Sequence, residues 1–234
     1  MEAIYLDDAY MKECDAEVIS VTDGKYIVLD KTIFYPSSGG QPHDTGKLVK
    51  DGKEYPVVFT GKFSNNISHE VSEPGLEKGD KVHCVLDWER RYKLMRMHTA
   101  AHVVSAMFHD KAGAMITGNQ KDVEKTRIDL SLEDFDREKI QKLIDEASKI
   151  METGLLVEIS YMPREKALGT PGFIKLANKL PPEVDPLRIV KIGDVDMQCD
   201  GGTHVKNTSE VGKLKVLKMQ NKGKANRRVY FGLE

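Results

Sequence analysis

The sequence predicts an α+β protein, with a small N-terminal β-barrel followed by an α+β domain in which two helices pack on a largely antiparallel sheet. Short β-branched and aromatic runs separated by turn residues fill the stretch from Ala16 to Asp87. Two long runs of helical periodicity follow, from Trp88 and from Ser131. Strand-like runs then resume between Leu155 and Gly232, so that helices and strands segregate rather than alternate. At 234 residues, 40% apolar and 31% charged, the chain carries enough hydrophobic material for a full core, in one large or two small domains.

In the first part, Ala16–Val21, Tyr26–Phe34, Lys47–Lys50 and Tyr55–Thr60 read as strands, and Asp23-Gly24 and Asp51-Gly52 supply hairpin chemistry. Pro74-Gly75 and Lys78-Gly79-Asp80 turn the chain into a last strand, Lys81–Leu86, which ends at Asp87, an acceptable N-cap. The domain boundary is expected near residue 90, giving domains 1–90 and 91–234. A helix then runs from Trp88 to about Asp110 without internal Gly or Pro, with Leu94, Ala101, Val104 and Phe108 at helical spacing. Ser131-Leu132-Glu133-Asp134 has the form of a capping box for a second helix. Its apolar positions Ile140, Leu143, Ile144, Ala147 and Met151 fall on one face, and Gly154 stops it. Leu155–Tyr161, Leu187–Ile192, Val195–Cys199, Lys213–Lys218 and Arg228–Gly232 complete the second domain as strands.

Several classes are excluded. The apolar stretch Ala100–Phe108 is interrupted by His102 and Ser105 and falls far short of the roughly 18 to 20 residues that cross a bilayer. The acidic N-terminus has no secretory signal character, and a cytoplasmic location is expected. Three cysteines, Cys14, Cys84 and Cys199, are too few and odd in number for a disulfide framework. A net charge of −2 gives no bulk attraction to nucleic acid, so a polyanion must be met locally. Between Lys206 and Arg228 eight basic residues face the single acid Glu210, which makes this tail the main basic patch.

The chemistry concentrates in two places. His98-Thr99-Ala100-Ala101-His102 sets two imidazoles at i and i+4 on one helical face, close enough to share an ion. About a hundred residues later, Gln198-Cys199-Asp200-Gly201-Gly202-Thr203-His204 offers a thiolate and a third imidazole across two glycines that let the backbone turn tightly. His98, His102, Cys199 and His204 form a candidate set for one zinc ion. Their long separation suits a metal in a cleft rather than a structural knot. Thr99 stands where a zincin carries its glutamate, so that mechanism of peptide hydrolysis is disfavoured. Cys14, Cys84, His43, His69 and His109 show no paired spacing and read as core or surface residues. In the barrel, Phe34–Gly46 contains Gly39, Gly40 and Gln41. It reads as a tight connection or as a loop whose backbone approaches a ligand, with Gln41 offering both donor and acceptor toward the neighbouring domain.

Together, the Phe34–Gly46 motif, His98-x-x-x-His102 and Asp200-Gly201-Gly202-Thr203-His204 resemble the freestanding alanyl-tRNA editing proteins, the AlaX family, and in particular its longer form with an N-terminal barrel. The resemblance spans most of the chain. It implies zinc-dependent hydrolysis of the ester joining serine or glycine to alanine-specific tRNA, with His98, His102 and His204 as ligands. The family's fourth ligand is the cysteine of Cys-x-x-x-His. Here that register lands on Asp200, with Cys199 one residue further, so register favours Asp200 while zinc's softness favours Cys199, and the alternatives that both reach the ion or that only three protein ligands hold it stay open. If it is not a ligand, Asp200 would orient the attacking water or hold the substrate ammonium. The resemblance also places at Thr117 a hydroxyl that separates serine from alanine, and makes Gly39, Gly40 and Gln41 part of the substrate site.

Phosphate contacts are expected from the Lys206–Arg228 tail and from Arg90, Arg91, Lys93 and Arg96. Two alternatives stand beside the deacylase: a zinc-dependent hydrolase of a small ester or amide, and a non-catalytic, zinc-stabilised tRNA-binding module. Mischarged tRNA is the expected partner, and no protein partner is indicated.

Overall fold

Alternating inward apolar side chains close the N-terminal strands into a barrel. The computed structural model describes residues 1–63, 66–170 and 183–234, and the chain separates into the units Met1–Leu94 and Met95–Glu234. The first unit contains β1 (Glu2–Ala3), β2 (Glu13–Thr22), β3 (Tyr26–Leu29), β4 (Lys31–Thr32), β5 (Gly46–Lys50), β6 (Lys53–Phe63), β7 (Asn66–Val71) and β8 (Lys81–Leu86). The barrel order is β2-β3-β7-β6-β5-β8, every pair antiparallel, while β1 and β4 form a separate parallel pair. Val18, Ile27, Leu29, Leu48, Val57 and Val71 fill the interior.

The strand expected over Tyr26–Phe34 stops at Leu29. Asp30 breaks it by accepting hydrogen bonds from Glu17 N at 2.8 Å and Lys31 N at 2.9 Å, an alternative to the sheet ladder that acidic side chains favour.

Asp87 caps α1 (Trp88–Ala112) as expected, accepting from Arg90 N at 3.1 Å. From Met97 to Phe108 this helix is buried on every face, the mark of a central element rather than an amphipathic one. In the second unit it is followed by β9 (Ile116–Lys121), β10 (Thr126–Leu130), α2 (Arg137–Glu152), β11 (Val157–Met162), α3 (Arg164–Leu168), β12 (Leu187–Ile192), β13 (Asp196–Cys199), β14 (Leu214–Asn221) and β15 (Arg227–Leu233).

Further features of the second unit depart from the sequence expectation. The strands make two antiparallel sheets, β14-β15-β10-β9 and β11-β12-β13, rather than one. The helix α2 is capped by Asp136, which accepts from Lys139 N, and not by Ser131, whose hydroxyl instead accepts from Met115 N at 2.7 Å. A third helix, α3, is a single turn after Pro163, too short to print a periodicity. The hairpin β9–β10 was hidden because Thr-Gly-Asn-Gln-Lys shows no apolar alternation. The predicted face of α2, Ile140, Leu143, Ile144, Ala147 and Met151, is the buried one.

Candidate metal centre and the glycine-rich turn

Helix α1 sets His98 and His102 one turn apart, and the loop after β13 brings Asp200 and His204 against them. One donor atom from each of these four side chains lies within 4.8 Å of every other, the only such group among the described residues. The ring centroids of His98 and His204 stand 4.3 Å apart, those of His102 and His204 4.7 Å, and those of His98 and His102 5.1 Å. Asp200 Oδ1 lies 3.5 Å from His98 Nε2 and 3.9 Å from His102 Nε2, and Oδ2 lies 3.0 Å from His204 Nε2. The three imidazoles are buried, and Asp200 keeps one fifth of its side chain exposed.

The surroundings fix which nitrogens face inward. His102 Nδ1 lies 2.8 Å from Oδ2 of buried Asp196, and His204 Nδ1 lies 3.1 Å from Thr99 Oγ1, so in both rings Nε2 is left toward Asp200. Thr99 also accepts from Val205 N at 3.3 Å, tying the loop to the helix. Arg188 donates to the Asp200 carbonyl at 2.7 Å, and Gly202 N donates to Asp200 Oδ2 at 2.6 Å. A Cβ on Gly202 would fall 2.1 Å from His98 Cε1, so only glycine lets the backbone pass this close to the imidazole.

Burial first, and then the charge of Lys121, push His98 well below its ordinary pKa. Burial pushes His204 down to about 4 against the hydrogen bond with Asp200. Burial also opposes ionisation of Asp200, but His98, the His204 hydrogen bond and His102 outweigh it and hold the carboxyl well below the usual range. The lowered pKa values of His98 and His204 and the lowered value of Asp200 each favour the deprotonated form that binds a cation.

The four donors could hold a metal ion, and imidazole with carboxylate is a donor set that zinc accepts. Ligand bonds of about 2.0–2.2 Å in tetrahedral array put donor atoms roughly 3.4 Å apart, close to the Asp200 spacings to His98 and His102. The hydrogen bonds to the outer nitrogens supply the usual orienting shell.

The group takes in Asp200 and leaves out Cys199. Cys199 pairs with Ile189 across the β12–β13 ladder and packs with Met162 and Met197 against Ala167, Leu187 and Ile189, where burial raises its thiol pKa. Thr117 lies on β9. It is the exposed extra residue where the ladder to β10 shifts register between Asp129 and Leu130.

Gly39 and Gly40, with φ of 56° and 81°, form the exposed centre of a turn closed by Ser38 N to Gln41 O at 3.1 Å and Gln41 N to Ser38 O at 2.8 Å. Positive φ at both central positions is the geometry that selects glycine. The Gln41 side chain is buried. The base of the turn is held by Asp44, which accepts from Tyr35 N at 2.7 Å and Arg91 Nε at 2.9 Å.

Sequence reasoning missed Asp196, Thr99, Lys121 and Arg188 as parts of the centre. Each acts on a residue remote in the sequence or through a register that pairing alone creates, and no local spacing announces it.

Residues 187–230 match the family described as Threonyl and Alanyl tRNA synthetase second additional domain, and residues 3–90 match tRNA synthetases class II (A). The chain is 48% identical over 241 residues to "Alanyl-tRNA editing protein AlaX-M" of Methanosarcina mazei, covering 99% of this chain and 96% of the relative. It is 42% identical to the protein of the same name from Saccharolobus solfataricus, covering 98% of each. The chain belongs to the AlaX family. It is also 38% identical to an alanine–tRNA ligase of Pyrobaculum calidifontis over 93% of this chain, which corresponds to 25% of that larger enzyme. Among the described residues of this AlaX protein, no helix is long and apolar enough to cross a membrane.

Proposed function

We propose that this chain acts in trans on mischarged alanine-specific tRNA, hydrolysing the ester that joins serine or glycine to the terminal ribose, at a zinc ion held by His98, His102, Asp200 and His204. The observation that carries the reading is the convergence of these four donors in a chain that matches proteins named for alanyl-tRNA editing along nearly their whole length. Water adds to the ester carbonyl, and the products are the free amino acid and a tRNA with its hydroxyl restored.

A bound zinc supplies charge stabilisation at the carbonyl oxygen or a water of lowered pKa. The chain's own residues do the rest. Asp200 is the partly open member of the group, so the side of the ion that it borders is the one open to substrate. Its place among the donors, together with the protonated, apolar setting of Cys199, favours Asp200 as the fourth ligand. The exposed hydroxyl of Thr117 would hydrogen-bond the serine side chain. Rejection of alanine through that hydroxyl requires that the bound substrate exclude water from it, since only a desolvated hydroxyl left unpaired carries a large penalty. Gly39 and Gly40 present exposed backbone to the RNA, with Gln41 supporting them from beneath. Lys215, Lys218, Lys222 and Lys224, all exposed, serve the phosphates, so binding weakens as salt rises.

The test is incubation with Ser-tRNA and Ala-tRNA of alanine specificity, with and without a chelator. Selective loss of the seryl ester that stops on chelation and returns with zinc supports the reading. Binding without release leaves only an RNA-binding module. Zinc-dependent cleavage of simple esters that is indifferent to tRNA leaves a small-molecule hydrolase.

A further inference from the structure

Cys14 on β2 and Cys84 on β8 are direct partners in the antiparallel ladder. Leu86 N donates to Lys12 O at 2.9 Å, and Val18 N donates to Asp80 O at 2.9 Å. These bonds set the phase of the ladder and make 14/84 a hydrogen-bonded pair. Such pairs hold their Cα atoms about 5.5 Å apart, inside the roughly 4.4–6.8 Å that a disulfide spans. Both side chains point inward, since Ala16 and Val18 alternate with Cys14, and Val82 and Leu86 with Cys84, as buried positions. Cys84 is fully buried, and Cys14 is partly exposed at the edge of the same core.

The two sulfurs are not equivalent. The Cys84 thiol donates to the Cys14 sulfur, which lowers the pKa of Cys14 against its burial, and the nearby charge of Lys31 lowers it further. The same bond, followed by burial, raises that of Cys84. One thiol is therefore reachable and activated, and the other is held in reserve behind it, the arrangement of an attacking and a resolving cysteine.

We propose that Cys14 and Cys84 form a peroxide-oxidisable dithiol, a disulfide-forming modification site in the wall of the barrel. The Cys14 thiolate attacks one peroxide oxygen, giving a sulfenic acid and hydroxide. The Cys84 sulfur then attacks the sulfenic sulfur and forms the S–S bond, and the sulfenic oxygen leaves as water. The net change is the oxidation of two thiols to one disulfide and the reduction of hydrogen peroxide to two waters.

The full-length protein is treated with hydrogen peroxide under native conditions, and thiols are counted after denaturation, with intact mass and non-reducing peptide mapping. The expected result is loss of two of the three thiols, a mass decrease of two hydrogens, a peptide joining Cys14 to Cys84, and full reversal by dithiothreitol. Cys14→Ser abolishes the linkage. Cys84→Ala, which keeps the site apolar, stops Cys14 at a sulfenic acid that dimedone traps. Retention of all three thiols in the wild type, sulfinic acid at Cys14 with Cys84 still reduced, or a linkage that contains Cys199 would each overturn the proposal.

Discussion

His102 is held by Asp196: its Nδ1 lies 2.8 Å from a carboxylate whose side chain is fully buried. The contact spans helix α1 and strand β13 and turns the opposite nitrogen toward Asp200. Replacing Asp196 with Asn keeps the shape and removes the charge that makes the imidazole a stronger ligand. Zinc affinity, measured by competition with a chromophoric chelator, should fall by about 10- to 100-fold while the fold persists.

Asp200 and Cys199 are adjacent in the chain but stand in different surroundings. Asp200→Ala removes a member of the donor group, so zinc content of the purified protein should drop sharply and deacylation with it. Cys199→Ser exchanges a side chain packed on an apolar cluster and should leave zinc content unchanged, at a modest stability cost of about 1 kcal/mol. Elemental analysis of both variants separates the two ligand sets, and retained zinc in Asp200→Ala would reject the carboxylate.

Gly202 is required by contact rather than by dihedral angle. Gly202→Ala places a methyl group within 2.4 Å of two atoms of the His98 ring, and the ring or the loop has to move. Zinc affinity should fall by at least about tenfold, with a far smaller effect from Gly201→Ala, where nothing lies within 4 Å of the added methyl.

Arg91 and Asp44 form an ion pair with neither side chain exposed. Arg91 also donates to Ala9 O at 2.8 Å and to Ile33 O. The pair fastens helix α1 to the base of the Gly39–Gly40 turn. Arg91→Ala leaves the carboxylate buried without its partner and should cost roughly 3–5 kcal/mol in urea unfolding. Arg90→Ala, on the partly exposed neighbour, should cost under about 1 kcal/mol.

His69 sets a pH dependence. Nδ1 donates to Ile27 O at 2.9 Å, Nε2 lies 2.8 Å from Thr32 Oγ1, and burial lowers its pKa to about 4. The unfolded chain takes up its proton near pH 6.5, before the folded one does. The contribution of His69 is therefore complete above about pH 6.5 and declines as pH falls toward 4, by up to about 3 kcal/mol. His69→Gln keeps a donor and an acceptor without titrating. Thermal unfolding from pH 7 to 4 should show a shallower loss of stability in that variant, and equal slopes would refute the assignment.

Much of this was legible in the sequence because local rules govern it. Runs of β-branched and aromatic residues with hairpin residues between them marked most of the barrel strands, the i, i+4 spacing placed His98 and His102 on one face, and the period of α2 named its buried side. The motifs in their order pointed to the AlaX family before any contact was known. Local rules failed where a side chain had a distant partner. Ser131 was taken up by Met115 and ceded the cap to Asp136. The polar strand β9 acquired its identity only by pairing with β10, and Cys14 and Cys84 became neighbours only when β2 met β8. The choice between Asp200 and Cys199 was of the same kind. Register and softness disagreed in the sequence, and the chain's exit from strand β13 leaves the thiol of Cys199 among apolar residues and the carboxylate of Asp200 beside three imidazoles, which supports the carboxylate without deciding the ligand. Spacing along a helix or strand is fixed by backbone geometry that every sequence shares, whereas convergence of remote groups depends on how the elements pack, and packing is a property of the whole chain.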